Sequence, residues 1–396
     1  MLKLNTNCSV CNDKTNTIND ENQKAFDDLV YKKDSELTID INSDDVSITI
    51  NSGKPIKFKK GNELGSGSFG SVFKLTSAEP EESPYHNIAA ALKIEKNEVA
   101  TEQEISEFLL ENDCNTLKVK YIKTDKNEKN TRYNLHYYIM ELANGDLTNL
   151  YSFYSENCGN SIDDNSDHKY TSETVKLYRD IVEEIRKQVA CLLLKSNYKY
   201  VYNDLKFENI LFSCSKDNTN IKVMLGDLGS TYVYGKYGFV HTYMPIEYYH
   251  KFKENKKYTE TETEEEKKQK KLSWLIGILL LNFSDKDYCE IYKSEKLDED
   301  DGYVNYIIKK SDNLILPTIT RIFGEGFSSY LNINPRERTD IFKELPEISV
   351  KSEITPVNSK SSMKFSKKKS ISSIKQKKQS KKNLRIRKNV NTQRNL

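Results

Sequence analysis

The chain has 396 residues, 61 Lys and Arg against 59 Asp and Glu, and a formal net charge of +2. Its longest apolar run, around Trp274 to Leu281, is too short to cross a bilayer, and the N-terminal MLKLNTNCSVCNDK lacks the apolar core of a secretory signal. Seven cysteines at irregular spacing read as reduced thiols, so the expectation is an intracellular protein, cytoplasmic or drawn to the nucleus by its basic tail.

Residues 1–36 are polar and acidic and read as poorly ordered. The Cys8 and Cys11 pair has no second CxxC and no nearby His, so it reads as incidental. Glu36 to Ile50 (ELTIDINSDDVSITI) alternates with a period of two, which predicts an added β-hairpin. Leu64-Gly65-Ser66-Gly67-Ser68-Phe69-Gly70-Ser71-Val72 then fits GxGxxGxV between two strand-like runs. Glycines there let a backbone close over phosphates with no Cβ in the way. A dinucleotide-binding turn uses similar glycines, but SVFKL after Gly70 is β-branched and aromatic, the composition of a strand and not of a phosphate-binding helix.

Three polar insertions, Glu79 to Asn87, Ser155 to Lys169 and Lys251 to Lys271, read as loops, the last a solvated run of mixed charge. Ala89 to Lys93 (AAALK) is an apolar strand ending in a lysine. Taken alone, that lysine reads as an edge residue with its head in water. Glu98, Glu102, Glu104 and Glu107 follow on a predicted helix and mostly form its solvated face. Tyr137 to Leu142 (YYIMEL) is a further apolar strand, ending in an Asn-Gly-Asp turn.

Tyr202 to Asn209 (YNDLKFEN) and Gly226 to Gly229 (GDLG) carry the most specific chemistry. Asp204 is placed to orient or deprotonate an attacking hydroxyl, and Lys206 to neutralise charge on a transferred phosphate. Asn209 and Asp227 are hard oxygen ligands suited to Mg2+.

Taken with the glycine-rich turn, these stretches resemble the catalytic and metal-binding loops of the eukaryotic-type protein kinase family, HRDLKxxN and DFG. The resemblance spans roughly residues 58–345. It implies an α+β, two-lobed kinase fold: a small, mostly β N-lobe with one helix at 55–142 and a larger, mostly α C-lobe at 143–350. A partly disordered extension at 1–54 and a disordered tail at 351–396 flank it. Lys93 then stands where the family lysine meets the α- and β-phosphates of ATP, and Glu104 is its expected partner, with Phe108 at i+4 packing toward the metal-binding loop. Met140 becomes the gatekeeper. Glu141 and Ala143 offer backbone groups to adenine, Asp146 reaches the ribose, and Leu211 completes an adenine stack with Val72 and Ala91. Tyr243 to Glu247 (YMPIE) and Asn334 to Thr339 (NPRERT) resemble the family's YxAPE and DPxxRxT. They imply a buried Glu247–Arg338 ion pair.

The departures are specific. Asn203 replaces an arginine that reads an activation-loop phosphate, Tyr202 and Leu228 replace His and Phe, Leu272 replaces a bracing aspartate, and Val240 a substrate-site threonine. The implied activity is transfer of the γ-phosphoryl of MgATP to Ser or Thr of a protein substrate. The alternatives are a pseudokinase scaffold and a small-molecule phosphotransferase.

The tail from Lys351 holds 15 Lys and Arg and one acidic residue, leaving 46 basic and 58 acidic residues in 1–350. Such a tail attracts an anionic partner, whether nucleic acid, an acidic protein or a membrane surface, and read alone it suggests a nucleic-acid-binding protein. The abundance of Asn, Lys, Ile and Tyr is that of a product of an AT-rich genome, as in a protist or a large DNA virus.

Overall fold

Alternating apolar residues close the first part of the chain into a barrel. The computed structural model describes residues 1–4, 10–12, 20–66, 70–95, 101–112, 114, 116–124, 135–157, 171–215, 217–233, 245, 263–284 and 315–342. They form one compact unit of mixed α and β structure, within 1–350.

A short strand, β1 (Leu2–Lys3), is followed by helix α1 (Asp20–Val30). The hairpin β2 (Leu37–Asn42) and β3 (Asp45–Ile50) then leads to β4 (Ile56–Ser66), β5 (Gly70–Ser77) and β6 (Ala89–Glu95). Helix α2 (Thr101–Glu111) precedes β7 (Val119–Thr124) and β8 (His136–Met140). The barrel order is β2-β3-β4-β5-β6-β8-β7, closed by parallel pairing of β2 with β7. The predicted hairpin is therefore a wall of the barrel and no appendage to it. Phe26 and Val30 of α1 are fully buried in the barrel core, with the Phe26 ring edge-on to Phe58 at 5.7 Å. Gln23 Oε1 accepts from the Ala89 N–H, which ties α1 to β6. The expected disorder of 1–36 and the separate extension at 1–54 are thus corrected for the described residues. The apolar stripe Phe26, Leu29, Val30 within a polar stretch is the signal, and it provides the burial that orders the helix.

Strand β6 is covered on both faces. Its period of two sends Ala90 and Leu92 into the barrel core and puts Ala91, Lys93 and Glu95 on the opposite face. Beyond β8 come β9 (Gly145–Asp146), α3 (Leu147–Asn157), α4 (Ser172–Lys195), β10 (Tyr200–Tyr202), β11 (Ile210–Cys214), β12 (Asn220–Leu225) and β13 (Thr231–Val233). Strands β1-β12-β11-β9 make one sheet, and β10 pairs with β13. Ser155 to Asn157 belongs to α3, so the helix occupies the start of that predicted insertion.

Helix α5 (Glu264–Ser284) crosses the helical part, and α6 (Leu316–Phe323) and α7 (Glu325–Ser328) pack beside it. Trp274 to Leu281 is buried, as expected of a central helix. The charged run before it was read as a loop through Lys271; from Glu264 onward it is helical. Thr263 and Glu266 form a reciprocal capping box, and Lys267 reaches back to Glu264 at 2.8 Å, so the charges support the first turns. No described helix is long and apolar enough to cross a membrane.

The reading of seven reduced thiols is also corrected. Cys11 is bonded to Cys214, and Cys114 to Cys191, with Cα–Cα separations of 5.8 and 6.0 Å. Cys11 is therefore structural, while Cys8 lies outside the described residues. The first bond pins the N-terminal segment to the end of β11; the second pins the chain just after α2 to α4. Each typically stabilises by about 2–4 kcal/mol, so full reduction is expected to lower the melting temperature by about 5–10 °C. Thermal melts with and without reductant, and of Cys114→Ser, check this; melts unmoved by reductant would count against it.

Candidate functional site

A cavity of about 710 Å³ opens between the barrel and the helical part, and most of the residues singled out in the sequence line it. Leu64, Gly65, Gly70 and Val72 come from β4 and β5. Ala91 and Lys93 come from β6, Met140 to Asp146 from the strand end and the link to α3, and Lys206, Asn209, Leu211 and Asp227 from the opposite wall. Gly67, Ser68 and Phe69 lie outside the described residues. Gly70 has a local reason to be glycine: a Cβ there would run into the carbonyl oxygen of Ile94 on the neighbouring strand.

The apolar end of the cavity is one cluster. Ala91, Leu117, Val119, Tyr138, Met140 and Met224 are buried together, and Val72, Leu142, Ala143 and Leu211 pack against them. Val72, Ala91 and Leu211 thus come together as expected of two faces of a flat ring site, with Met140 at its base. Glu141 donates its N–H to the Lys118 carbonyl, so its own backbone carbonyl is the group it can offer to a ligand. Asp146 has a second task as the cap of α3: its carboxylate accepts from Asn149 N–H, and Asn149 Oδ1 accepts from the Asp146 N–H. Burial raises the Asp146 carboxyl above its ordinary range.

Lys93 is the electrostatic centre. Its ammonium is 2.7 Å from Glu95 Oε1, 2.8 Å from Glu102 Oε2 and 3.0 Å from Asp227 Oδ1. Burial pulls its pKa down, but the three carboxylates outweigh burial and carry it well above the ordinary lysine value, so the ammonium stays charged.

The expectation that Glu104 is the lysine's partner is overturned. Glu102, Ile105, Ser106 and Leu109 form the buried stripe of α2, and Glu102 is fully buried on it. Glu104 lies on the exposed face, accepting from the Tyr200 hydroxyl at 2.6 Å, a contact that lowers its pKa. Phe108 meets the Tyr200 ring edge-on at 5.5 Å. The signal lay in the apolar residues: Ile105 and Leu109 set the phase of the helix, and Glu102 is one turn before Ile105. Glu95 was also missed, although the strand period places it beside Lys93.

Asp204 is 5% exposed and, unlike Lys206 and Asn209 of the same loop, does not itself line the cavity. Its Oδ2 accepts from Asn209 Nδ2 at 2.7 Å and sits 2.9 Å from Lys206 Nζ; its Oδ1 is buried without a hydrogen-bond partner among the described residues. Asn209 Nδ2 also donates to the Asp204 carbonyl, so the amide nitrogen is spent on the loop and the amide oxygen is the group free to meet a cation. Asp227 adopts a left-handed backbone, φ 42° and ψ 56°, a strained setting for a non-glycine residue. Its side chain is 42% exposed. Asp227 and Asn209 therefore present hard oxygens at one end of a cavity with a cation on its other wall, a donor set that fits Mg2+ carrying phosphates.

Three contacts hold the loop Tyr202 to Asn209. Tyr202, in place of histidine, donates its hydroxyl to the Gly226 carbonyl at 2.6 Å, joining the loop to the turn at Gly226 to Gly229. Phe207 packs on Phe283 of α5 with ring centroids 4.6 Å apart. Leu272 is fully buried, and the neighbouring Lys271 reaches from α5 to Asn203 Oδ1 at 2.6 Å. The brace from the central helix is thus kept with a cation where an aspartate was expected. Arg338 is buried and stacks over Trp274 at 4.7 Å, with its Nε donating to the Asn332 carbonyl; Glu247, its expected partner, lies outside the described residues, as do Val240 and Thr242.

No protein-family model and no curated protein sequence matches the chain. Among solved structures it is similar to a ROP18 kinase domain in complex with AMP-PNP and sucrose. The identity is 17%, the TM-score 0.43, and the match covers 81% of this chain and 85% of that one.

Burial lowers Lys271 from its ordinary 10.5 to about 8. Between these values the unfolded chain binds the proton that the folded chain has lost, so this residue's contribution to stability rises with pH across that window. Lys271→Met is expected to be more stable than wild type near pH 7, by about 1–3 kcal/mol, with the advantage shrinking between pH 8 and 10.5. Paired thermal melts over that range test it; a gap that is constant with pH would overturn the assignment.

Proposed function

We propose that the chain is a protein kinase that transfers the γ-phosphoryl group of ATP to Ser or Thr hydroxyls of protein substrates. The observation that carries this reading is Asp204: buried, held by Asn209 and Lys206, which themselves line the cavity, and left with one buried carboxylate oxygen without a hydrogen-bond partner among the described residues. A carboxylate so fixed is suited to receive a hydroxyl and take its proton. Lys206, beside it, offsets the negative charge that builds as the phosphoryl group moves, and this pairing supports Ser and Thr as acceptors. The apolar cluster around Ala91, Met140 and Leu211 suits adenine, and Lys93 on the far wall suits the nucleotide phosphates.

Asp227 and Asn209 would hold Mg2+. The ion, when bound, neutralises phosphate charge and orients the transferred group. The protein's own work is positioning. Lys93 is fixed by β6 and α2, Asp204 by the loop packed on α5, and the cavity between them excludes water from the apolar end. The basic tail, 351–396, would add a docking element for an anionic partner.

The test is transfer of labelled γ-phosphate from MgATP onto the protein itself and onto generic acceptor proteins, with the labelled residues identified. Label on Ser or Thr is expected in wild type, falling about 10²- to 10⁴-fold in Asp204→Asn and lost in Asp227→Asn. A folded wild type that neither binds MgATP nor transfers phosphate would move the reading to a scaffold on the same architecture. The geometry of α2 adds a second outcome: Glu102→Gln lowers transfer by at least about ten-fold, whereas Glu104→Gln leaves it within about two-fold of wild type.

A further inference from the structure

The Lys93 ammonium has three N–H donors; it donates to Glu102 and Asp227, and a third carboxylate oxygen, Glu95 Oε1, lies 2.7 Å away. Two of these carboxylates have a place in the proposed phosphotransfer: Glu102 orients the lysine and Asp227 serves the cation. Glu95 has none, and it is as deeply set as Glu102, at 3% exposure.

Strand geometry keeps Glu95 where it is. It pairs with Gly70 on one side and His136 on the other, so its backbone is locked within the barrel wall directly under the last glycine of the phosphate-binding turn. Its second oxygen, Oε2, is buried with no hydrogen-bond partner among the described residues, and the same holds for Glu102 Oε1. The carboxylates of Glu95, Glu102 and Asp227 thus exceed the one ammonium they surround. Asp227 is the partner most open to exchange, being 42% exposed at the end of β12. When a nucleotide and its cation engage Asp227, Lys93 is still held by two buried carboxylates and has a single N–H to give to a phosphate.

We propose that Glu95 is a positioning residue that competes with nucleotide phosphate for Lys93 and so makes nucleotide binding weak and strongly dependent on divalent cation. This rests on the phosphotransfer reading above and adds to it a residue that sets affinity. The negative charge beside the phosphate turn opposes free ATP more than MgATP, because the bound cation cancels part of the phosphate charge.

Glu95→Gln keeps the shape and removes the charge; Glu95→Asp keeps the charge on a shorter arm. Binding of a fluorescent ATP analogue is measured across a Mg2+ series for wild type and both variants, with a melt of each nucleotide-free protein to verify folding. Glu95→Gln is expected to bind about ten-fold tighter at low Mg2+ and to show a flatter Mg2+ dependence, while Glu95→Asp stays near wild type. Wild-type binding that Glu95→Gln leaves unchanged or weakens would overturn this inference alone. Absence of nucleotide binding by every folded form would overturn it together with the phosphotransfer reading. Mn2+ binding without nucleotide that is lost in Glu95→Gln would also overturn it, since Glu95 would then be a metal ligand.

Discussion

The ion cluster at Lys93 is the constraint on which the arrangement of the site depends. It joins three segments that are far apart in the chain: β6, the first turn of α2 and the Asp227 turn after β12. A buried ammonium is stabilised by carboxylates in contact, and buried carboxylates by a cation, so the cluster favours the meeting of all three segments. This meeting sets the phase of α2, because Glu102 can reach Lys93 only if Ile105 and Leu109 face the core with it. It also sets the position of the turn after β12, since Asp227 reaches the cluster from a left-handed backbone.

The opposite wall is fixed by different means. Asp204 is held by neighbours in its own loop, and that loop is anchored by aromatic packing of Phe207 on Phe283 and by the Tyr202 hydroxyl. Lys271 extends the anchorage into α5. One wall is thus electrostatic and spans the chain, whereas the other is a local loop seated on an apolar core. The cavity lies between two supports that respond differently to pH and salt: the first through charge, the second mainly through burial.

The candidate residues of the cavity wall were legible because they lie within short contiguous runs, YNDLKFEN and GDLG, and the apolar lining because strands alternate. What was missed depends on contacts between distant segments or on exact helical phase. The i+4 relation to Phe108 points to Glu104, whereas the stripe through Ile105 and Leu109 points to Glu102, the residue that meets Lys93. Helix α1 was hidden by its polar surroundings, because its stability comes from burying Phe26 and Val30 in a barrel assembled from later residues. The cysteine pairs join positions 203 and 77 residues apart, and spacing carries no record of such a meeting. The helical start of α5 was written in Thr263 and Glu266 but masked by the charge of its neighbours.

Strand β1 has a consequence for how the molecule assembles. Leu2 pairs with Ile221, Lys3 with Asn220, and Cys11 with Cys214, so these residues find their partners only after some two hundred more have been made. Contacts of such long sequence separation close late, because loop entropy must be overcome before they are rewarded. The edge of β12 therefore stays open during synthesis until the N-terminal strand returns to it, and an open strand edge is a template for pairing with a second chain. Strand β1 thus acts as a late clasp of the fold, although it is made long before its partner strand.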